Sequence, residues 1–260
     1  MTNNLSSSIK TKELNALENS QKHDIIKVRK GCVDMWNAFM VRGAAFTNND
    51  IPYSPTTAFT VPVSLVSYEE AKTIHKNAMH NGHTDYTVKA FVHFFLDDQK
   101  FDGKRTGIWW YPEKALEILR HFAGVITPDF STNADFPEPI KRYNFYRMRA
   151  FGYWLSSQGI PVINNVRWGT EETWSYCWDG VPHHSIVAVG TVASGLKLLE
   201  NRPLFENGLD EMVRALQPHT ILVYGSANYE CFNKLKAQGI NIVAFPSQTS
   251  IAFERRKGHE

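Results

Sequence analysis

Six short runs of β-branched and aromatic residues, at 91–96, 124–127, 161–166, 185–190, 220–224 and 240–245, punctuate the chain from Val88 onward. Runs of this length and composition read as buried strands. Between most of them lie EKALEILRHF, the stretch from Ile140 to Gln158, LFENGLDEMVRALQ and YECFNKLKAQG, each with apolar residues three and four positions apart. That spacing gathers one apolar stripe on a helix. Repeated strand-helix alternation implies parallel strands joined by right-handed crossovers. The expected fold is therefore α/β, a mostly parallel sheet that is either doubly wound or a complete or partial β/α barrel. Gly159 and Gly239 stand where helices end, just before the next strand. One connection is different: residues 167–184 have room for only a short helix and carry Trp168, Trp174, Tyr176 and Trp178.

The flanks are less regular. Residues 1–24 are polar and lack Phe, Trp and Tyr, so they bury too little surface to offset their chain entropy and read as a flexible tail. Residues 25–87 form an irregular region, interrupted by Pro52 and Pro55, that packs on the main domain as a subdomain or lid. Within it SYEEAKTIHKNAMH suits one helix capped by Ser67. Residues 88–250 are the α/β domain and 251–260 a charged tail.

The 260-residue chain is 43% hydrophobic, enough for a sizeable core, and its 28 basic and 26 acidic side chains are too balanced to imply nucleic-acid or membrane binding. Cys32, Cys177 and Cys231 lack CxxC spacing, which argues against a disulfide framework and a cysteine zinc site and suits a reducing compartment. No window reaches the roughly 18 apolar residues of a membrane span, and the N-terminus has no secretory pattern. The expected location is the cytoplasm.

Parallel α/β folds bind ligands where strands end and loops leave the sheet. In this chain those ends carry Asp97 and Asp98, Asp129, then Asn164, Asn165 and Arg167, then Thr191, Tyr224 with Ser226, and Ser247. Strand alternation allows only one of Asp97 and Asp98 to face the cleft, and Asp98 is taken as that one. Asp98 and Asp129 on neighbouring strands could hold Mg²⁺ or divide into acid and base. The plainer readings are a turn or helix cap for each. Arg167 could clamp a phosphate, or simply pair with one of the aspartates. Asp97, Asn165, Trp168 and Tyr224 are the associated ligand-binding candidates, with Gly225 and Ser226 in VYGSANYE, whose amides suit an anion at a helix start or merely a tight turn.

Other motifs carry less. His75, His80 and His83 lack metalloprotease spacing and read as scattered surface histidines, and His183 and His184 adjoin the opposite edge. No GxSxG elbow occurs, and Cys177 has no evident histidine partner. Lys141, Arg142, Arg147 and Arg149, with the tail ERRKGHE, could contact phosphates, although solvated helix faces are the commoner explanation.

HFFLDDQKF, GVITPDFS, NFYRMRAFGYWLSSQGIPVINNVRWG, SIVAVGT and ILVYGS, in this order, resemble the domain-of-unknown-function family DUF4417 of bacteria, phages and other mobile elements. The resemblance runs from about Met40, with FMVRGAAF, to about Pro246. It implies a bacterial or phage setting and brings no mechanism to any residue.

Three functions fit these residues. The first is an enzyme acting on a nucleotide or nucleic acid through Asp98, Asp129 and Arg167, with the aromatic loop stacking a base and Mg²⁺ as possible cofactor. The second is a non-catalytic module that recognises a host protein or nucleic acid at the same edge. The third is a glycoside hydrolase-like barrel using the paired carboxylates.

Overall fold

The protein's structure is a computed structural model that describes residues 31, 33–192 and 194–257. Residues 1–24, read from sequence as a tail, lie outside the described residues. Seven strands, β1 (Leu65–Ser67), β2 (Val88–His93), β3 (Phe122–Ile126), β4 (Val162–Asn165), β5 (Ile186–Gly190), β6 (Thr220–Tyr224) and β7 (Asn241–Phe245), form one sheet. All six pairings are parallel, and the order across the sheet is the order along the chain. A doubly wound sheet reverses its order partway. This one does not, so the architecture is a curled half-barrel.

The helices are α1 (Tyr68–His80), α2 (Pro112–Leu119), α3 (Glu138–Ser157), α4 (Arg202–Leu216), α5 (Glu230–Ala237) and α6 (Gln248–Lys257). Residues 167–184 contain only a 3-10 turn, Glu171–Ser175, as their length demands. α1 starts as its sequence suggests. Ser67 Oγ accepts from the Glu70 amide at 3.2 Å and the Glu70 carboxylate accepts from the Ser67 amide at 2.8 Å, a reciprocal cap.

Strand alternation creates two cores. Val125, Val162, Val187 and Val223 face the helices in the larger one. Phe91, Ile126, Ile163, Ala188 and Leu222 face inward, joined by Ala58 and by no helical residue. The curl is visible in one contact: the ring of Phe95, just past β2, stacks on Tyr224 of β6 with centroids 5.0 Å apart. Strands four steps apart in a flat sheet would be about 19 Å apart. β1 and β7 do not pair, but Gln248 at the start of α6 donates to Ser67 Oγ across 3.1 Å.

β1 was not foreseen from the sequence, because LVS after Pro62 is too short to show a period. Ahead of it, residues 54–58 cross the sheet. Ser54 lies on the helix side, where a Cβ on Gly152 of α3 would come within 2.2 Å of its Oγ. Thr57 and Ala58 then donate to the Val162 carbonyl at 3.0 and 3.2 Å, and Ala58 enters the inner core. That carbonyl is available because β4 and β5 pair only at Asn164 and Asn165.

Gly124 of β3 marks how tightly the inner face is filled, since a Cβ there would lie 2.3 Å from Phe91 Cζ and 2.7 Å from the Pro161 carbonyl oxygen. One of these neighbours is backbone and cannot yield by a rotamer change. Gly124→Ala is expected to destabilise the protein by about 1–3 kcal/mol, measured by denaturant unfolding.

Candidate functional site

β2 leaves the sheet at His93, earlier than its apolar run suggests. Phe94 turns to the helix side against Tyr68 and Phe101, and Phe95 turns inward onto Tyr224. The chain then makes a 3-10 turn, Asp98–Lys100, with Asp97 as its first flanking residue. The two aspartates therefore lie beyond the strand rather than on its last positions, and alternation no longer decides their directions. Asp97 faces the carboxyl edge of the sheet, whereas the Asp98 carboxylate accepts from the Ser131 amide at 3.1 Å and the Ser131 hydroxyl at 2.9 Å.

A cavity of about 510 Å³ opens at that edge. Among the sequence candidates, Asp97, Asp129, Arg167, Trp168 and Tyr224 line it, together with Lys100. Asp98, Asn165, Gly225 and Ser226 do not. Asp129 Oδ1 accepts from Asn165 Nδ2 at 2.7 Å and from Arg167 Nη1 at 3.1 Å, which is the ion pair that was the plainer reading of Arg167. Arg167 Nη1 also reaches the Asp129 and Phe130 carbonyls, at 3.3 and 3.4 Å. Arg167 Nε and Asn165 Oδ1 are buried without a hydrogen-bond partner. Asp97 makes no hydrogen bond or ion pair with a described side chain and is exposed. Lys100 Nζ lies 3.1 Å from Glu69 Oε2.

The aromatic loop divides. Tyr176 and Trp178 are core residues, and only Trp168 reaches the cavity, braced by Phe205 and by the α4 backbone at Gly208. A Cβ on Gly208 would fall 2.1 Å from the Trp168 ring. Opposite it, Gly190 ends β5 on the cavity wall, where a Cβ would stand 2.9 Å from the Phe95 ring.

The VYGSANYE segment is a tight turn. The Gly225 amide donates to the Phe245 carbonyl at 2.8 Å and the Asn228 amide to Ser226 Oγ at 3.2 Å, so these amides are taken. Nor do Asp98 and Asp129 form a two-carboxylate cradle for Mg²⁺, because Ser131 engages one and a guanidinium the other. Among the described residues no group of three His, Cys, Asp or Glu side chains is placed to hold a metal ion.

The basic residues of α3 are not a solvated face. Lys141 is buried and donates to the Ala134 carbonyl at 3.0 Å. Arg147 pairs with Asp102 at 2.6 Å and holds Asn144, which donates to the Ser131 carbonyl. Asp98, Ser131, Asn144, Arg147 and Asp102 thus make one chain of polar contacts behind the cavity wall. Arg142 is half-exposed beside Glu138, and the side chains of the ERRKGHE tail lie outside the described residues. Burial pushes the Cys177 thiol up, and likewise that of Cys231 to about 11, as inert core thiols require.

One polar residue at this edge escaped the sequence reading. His93 ends β2 in register with Ser67, is buried, and accepts from the Phe95 amide at 3.2 Å through Nδ1. Its ring lies 4.3 Å from that of Tyr224, whose hydroxyl accepts from the Gln248 amide at 3.4 Å. Its shared parity with Phe91 and Phe95 was the available signal.

The fold and this edge define an open β/α half-barrel protein with a ligand-sized cavity at the carboxyl ends of its strands. The chain belongs to the domain of unknown function family DUF4417, whose family model matches residues 45–246. It is 34% identical over 149 residues to the Gene 1 protein of Mycobacterium phage L5, covering 56% of this chain and 63% of that protein. It is 35% identical over 138 residues to the Gene 1 protein of Mycobacterium phage D29, covering 53% of this chain and 49% of that one. The chain thus spans about half to two thirds of the length of these curated relatives. No solved structure matches it. Among the described residues no helix is long and apolar enough to cross a membrane.

Two outcomes follow from the site's geometry. Burial lowers the His93 pKa to about 4, only partly opposed by the Glu70 carboxylate. An unfolded histidine titrates near 6.5, so the unfolded chain binds the extra proton first as pH falls. Stability contributed by neutral His93 is intact above about 6.5 and is lost towards pH 4, on the order of 3 kcal/mol in all. In unfolding measured across that window, His93→Gln should flatten the pH dependence. Asp98→Ala, which strips Ser131 of two charge-assisted hydrogen bonds, should cost about 2–3 kcal/mol in the same assay.

Proposed function

We propose that the carboxyl-edge cavity binds a small phosphate-bearing ligand with an aromatic base, such as a nucleotide, and that the protein acts on it as an enzyme. The observation that carries this reading is Arg167. Its guanidinium lines the cavity and, among the described residues, is engaged only through Nη1, which is braced against Asp129 and two carbonyls. An arginine pinned through one nitrogen can present the other, Nη2, to an anion at little entropic cost. The cavity volume of about 510 Å³ is within the usual range for small-molecule sites, and Trp168 and Tyr224 supply ring faces on its walls.

Within this reading Asp129 positions Arg167, and Asp97, with neither oxygen engaged by a described residue, is the carboxylate able to accept a proton from an attacking water. Asp98 supports the wall through Ser131. The resemblance to Gene 1 proteins of two mycobacteriophages supports a phage or mobile-element setting in a host cytoplasm.

Thermal unfolding with nucleoside mono-, di- and triphosphates tests the reading. A bound nucleotide at about one hundred times its Kd should raise Tm by roughly 5–10 °C. Arg167→Ala should abolish that shift, and Asp97→Asn should leave binding intact while removing turnover. A flat response to every phosphate-bearing ligand would count against the proposal.

A further inference from the structure

A second surface lies outside the cavity. The loop that follows Lys100 folds back on itself through consecutive turns: the Gly107 amide donates to the Gly103 carbonyl at 2.6 Å and the Tyr111 amide to the Gly107 carbonyl at 2.9 Å. Gly107 is required there, since a Cβ would stand 2.6 Å from the Gly103 carbonyl oxygen. This double turn buries Ile108 and Trp109 and leaves Lys104, Arg105, Trp110 and Tyr111 exposed.

Trp36 joins them from the N-terminal side. The Asp34 carboxylate accepts from the amides of Trp36, Ala38 and Phe39 at 3.2, 3.0 and 3.1 Å, which fixes this turn. Asn37 Nδ2 donates to the Trp109 carbonyl at 2.5 Å, which fastens it to the loop. Trp36 is 72% exposed and Trp110 48%. Among the described residues Lys104 and Arg105 make no ion pair, and Lys114 sits over the Tyr111 ring at 4.9 Å.

Exposed indole rings are costly in water, and hydrogen-bonded turns hold the backbone beneath them. A purely apolar partner would leave the three cations unmatched. Flat rings beside cations that make no ion pair among the described residues match a strand that carries phosphates along one side and free base faces along the other. We infer that Trp36, Trp110 and Tyr111, with Lys104, Arg105 and Lys114, form a platform for single-stranded nucleic acid. Duplex DNA keeps its bases stacked internally and offers these rings no face. The platform stands on observations independent of the cavity, so it holds whether or not a nucleotide binds there.

The test is fluorescence anisotropy of a labelled oligothymidylate of about 20 nucleotides, long enough to cover one such platform, against the full chain. The strand should bind, and raising salt from about 50 to about 200 mM should weaken it about twenty-fold, as expected for three neutralised phosphates. Trp36→Ala and Trp110→Ala should each weaken binding about ten-fold at unchanged Tm, both side chains being exposed. Lys104→Glu with Arg105→Glu should remove most of the salt dependence. The inference is overturned by absence of binding, by binding that ignores all four substitutions, or by a duplex of the same length binding as tightly as the single strand. Selective capture of a protein at this surface, with no oligonucleotide binding, would overturn it equally.

Discussion

The guanidinium of Arg149 is wholly enclosed, and its partners are carbonyls rather than a carboxylate. From α3 it donates to Asn165, Cys177 and Asp179 at 3.0, 3.2 and 3.0 Å. Burial lowers its pKa to about 10, so it remains charged at neutral pH. An enclosed charge is tolerated only where it is fully hydrogen-bonded. Those bonds seam the central helix to the end of β4 and to both ends of the turn that closes the aromatic loop. Arg167 and Trp168 stand between the two anchor points, so the cavity wall inherits its rigidity from a residue that never touches the cavity.

The curl of the sheet sets the rest. An inner core made from strand residues with Ala58 and Phe95 has little volume, and it is filled by alternating Phe91 and Phe95 against Gly124 and Gly190. The glycines are spaces for rings. As Phe95 crosses to Tyr224, it closes the floor of the mouth and leaves the polar strand ends gathered around the opening above it. Residues 54–58, threaded between β4 and β5, do the corresponding work at the other end, satisfying a strand carbonyl that no neighbouring strand reaches.

How much of this was legible depended on how far periodicity extends. The strands from Val88 onward and every helix between them declare themselves through apolar spacing, and several of the polar strand ends lie around the cavity. β1 did not, since three residues carry no period. The choice between Asp97 and Asp98 could not be made by alternation, because the backbone leaves the strand at His93 while the apolar run continues to Leu96. Phe94 and Phe95 are apolar for opposite reasons, one feeding each core. The charges of α3 misled in a similar way: their identity says "solvent", and only the carbonyls and Asp102 brought from distant segments explain their burial.

The hydrogen bond from Gln248 to Ser67 joins positions 181 residues apart, bringing together the start of the first β/α unit and the helix after the last strand. Such a contact closes a very long loop, whose closure entropy opposes its formation. The same entropy favours its release, so the boundary between β1 and β7 is the expected starting point of sub-global opening. Amide exchange would therefore be expected to set the two edge strands, β1 and β7, apart from the strands between them, a difference that a closed barrel of equivalent strands would not possess.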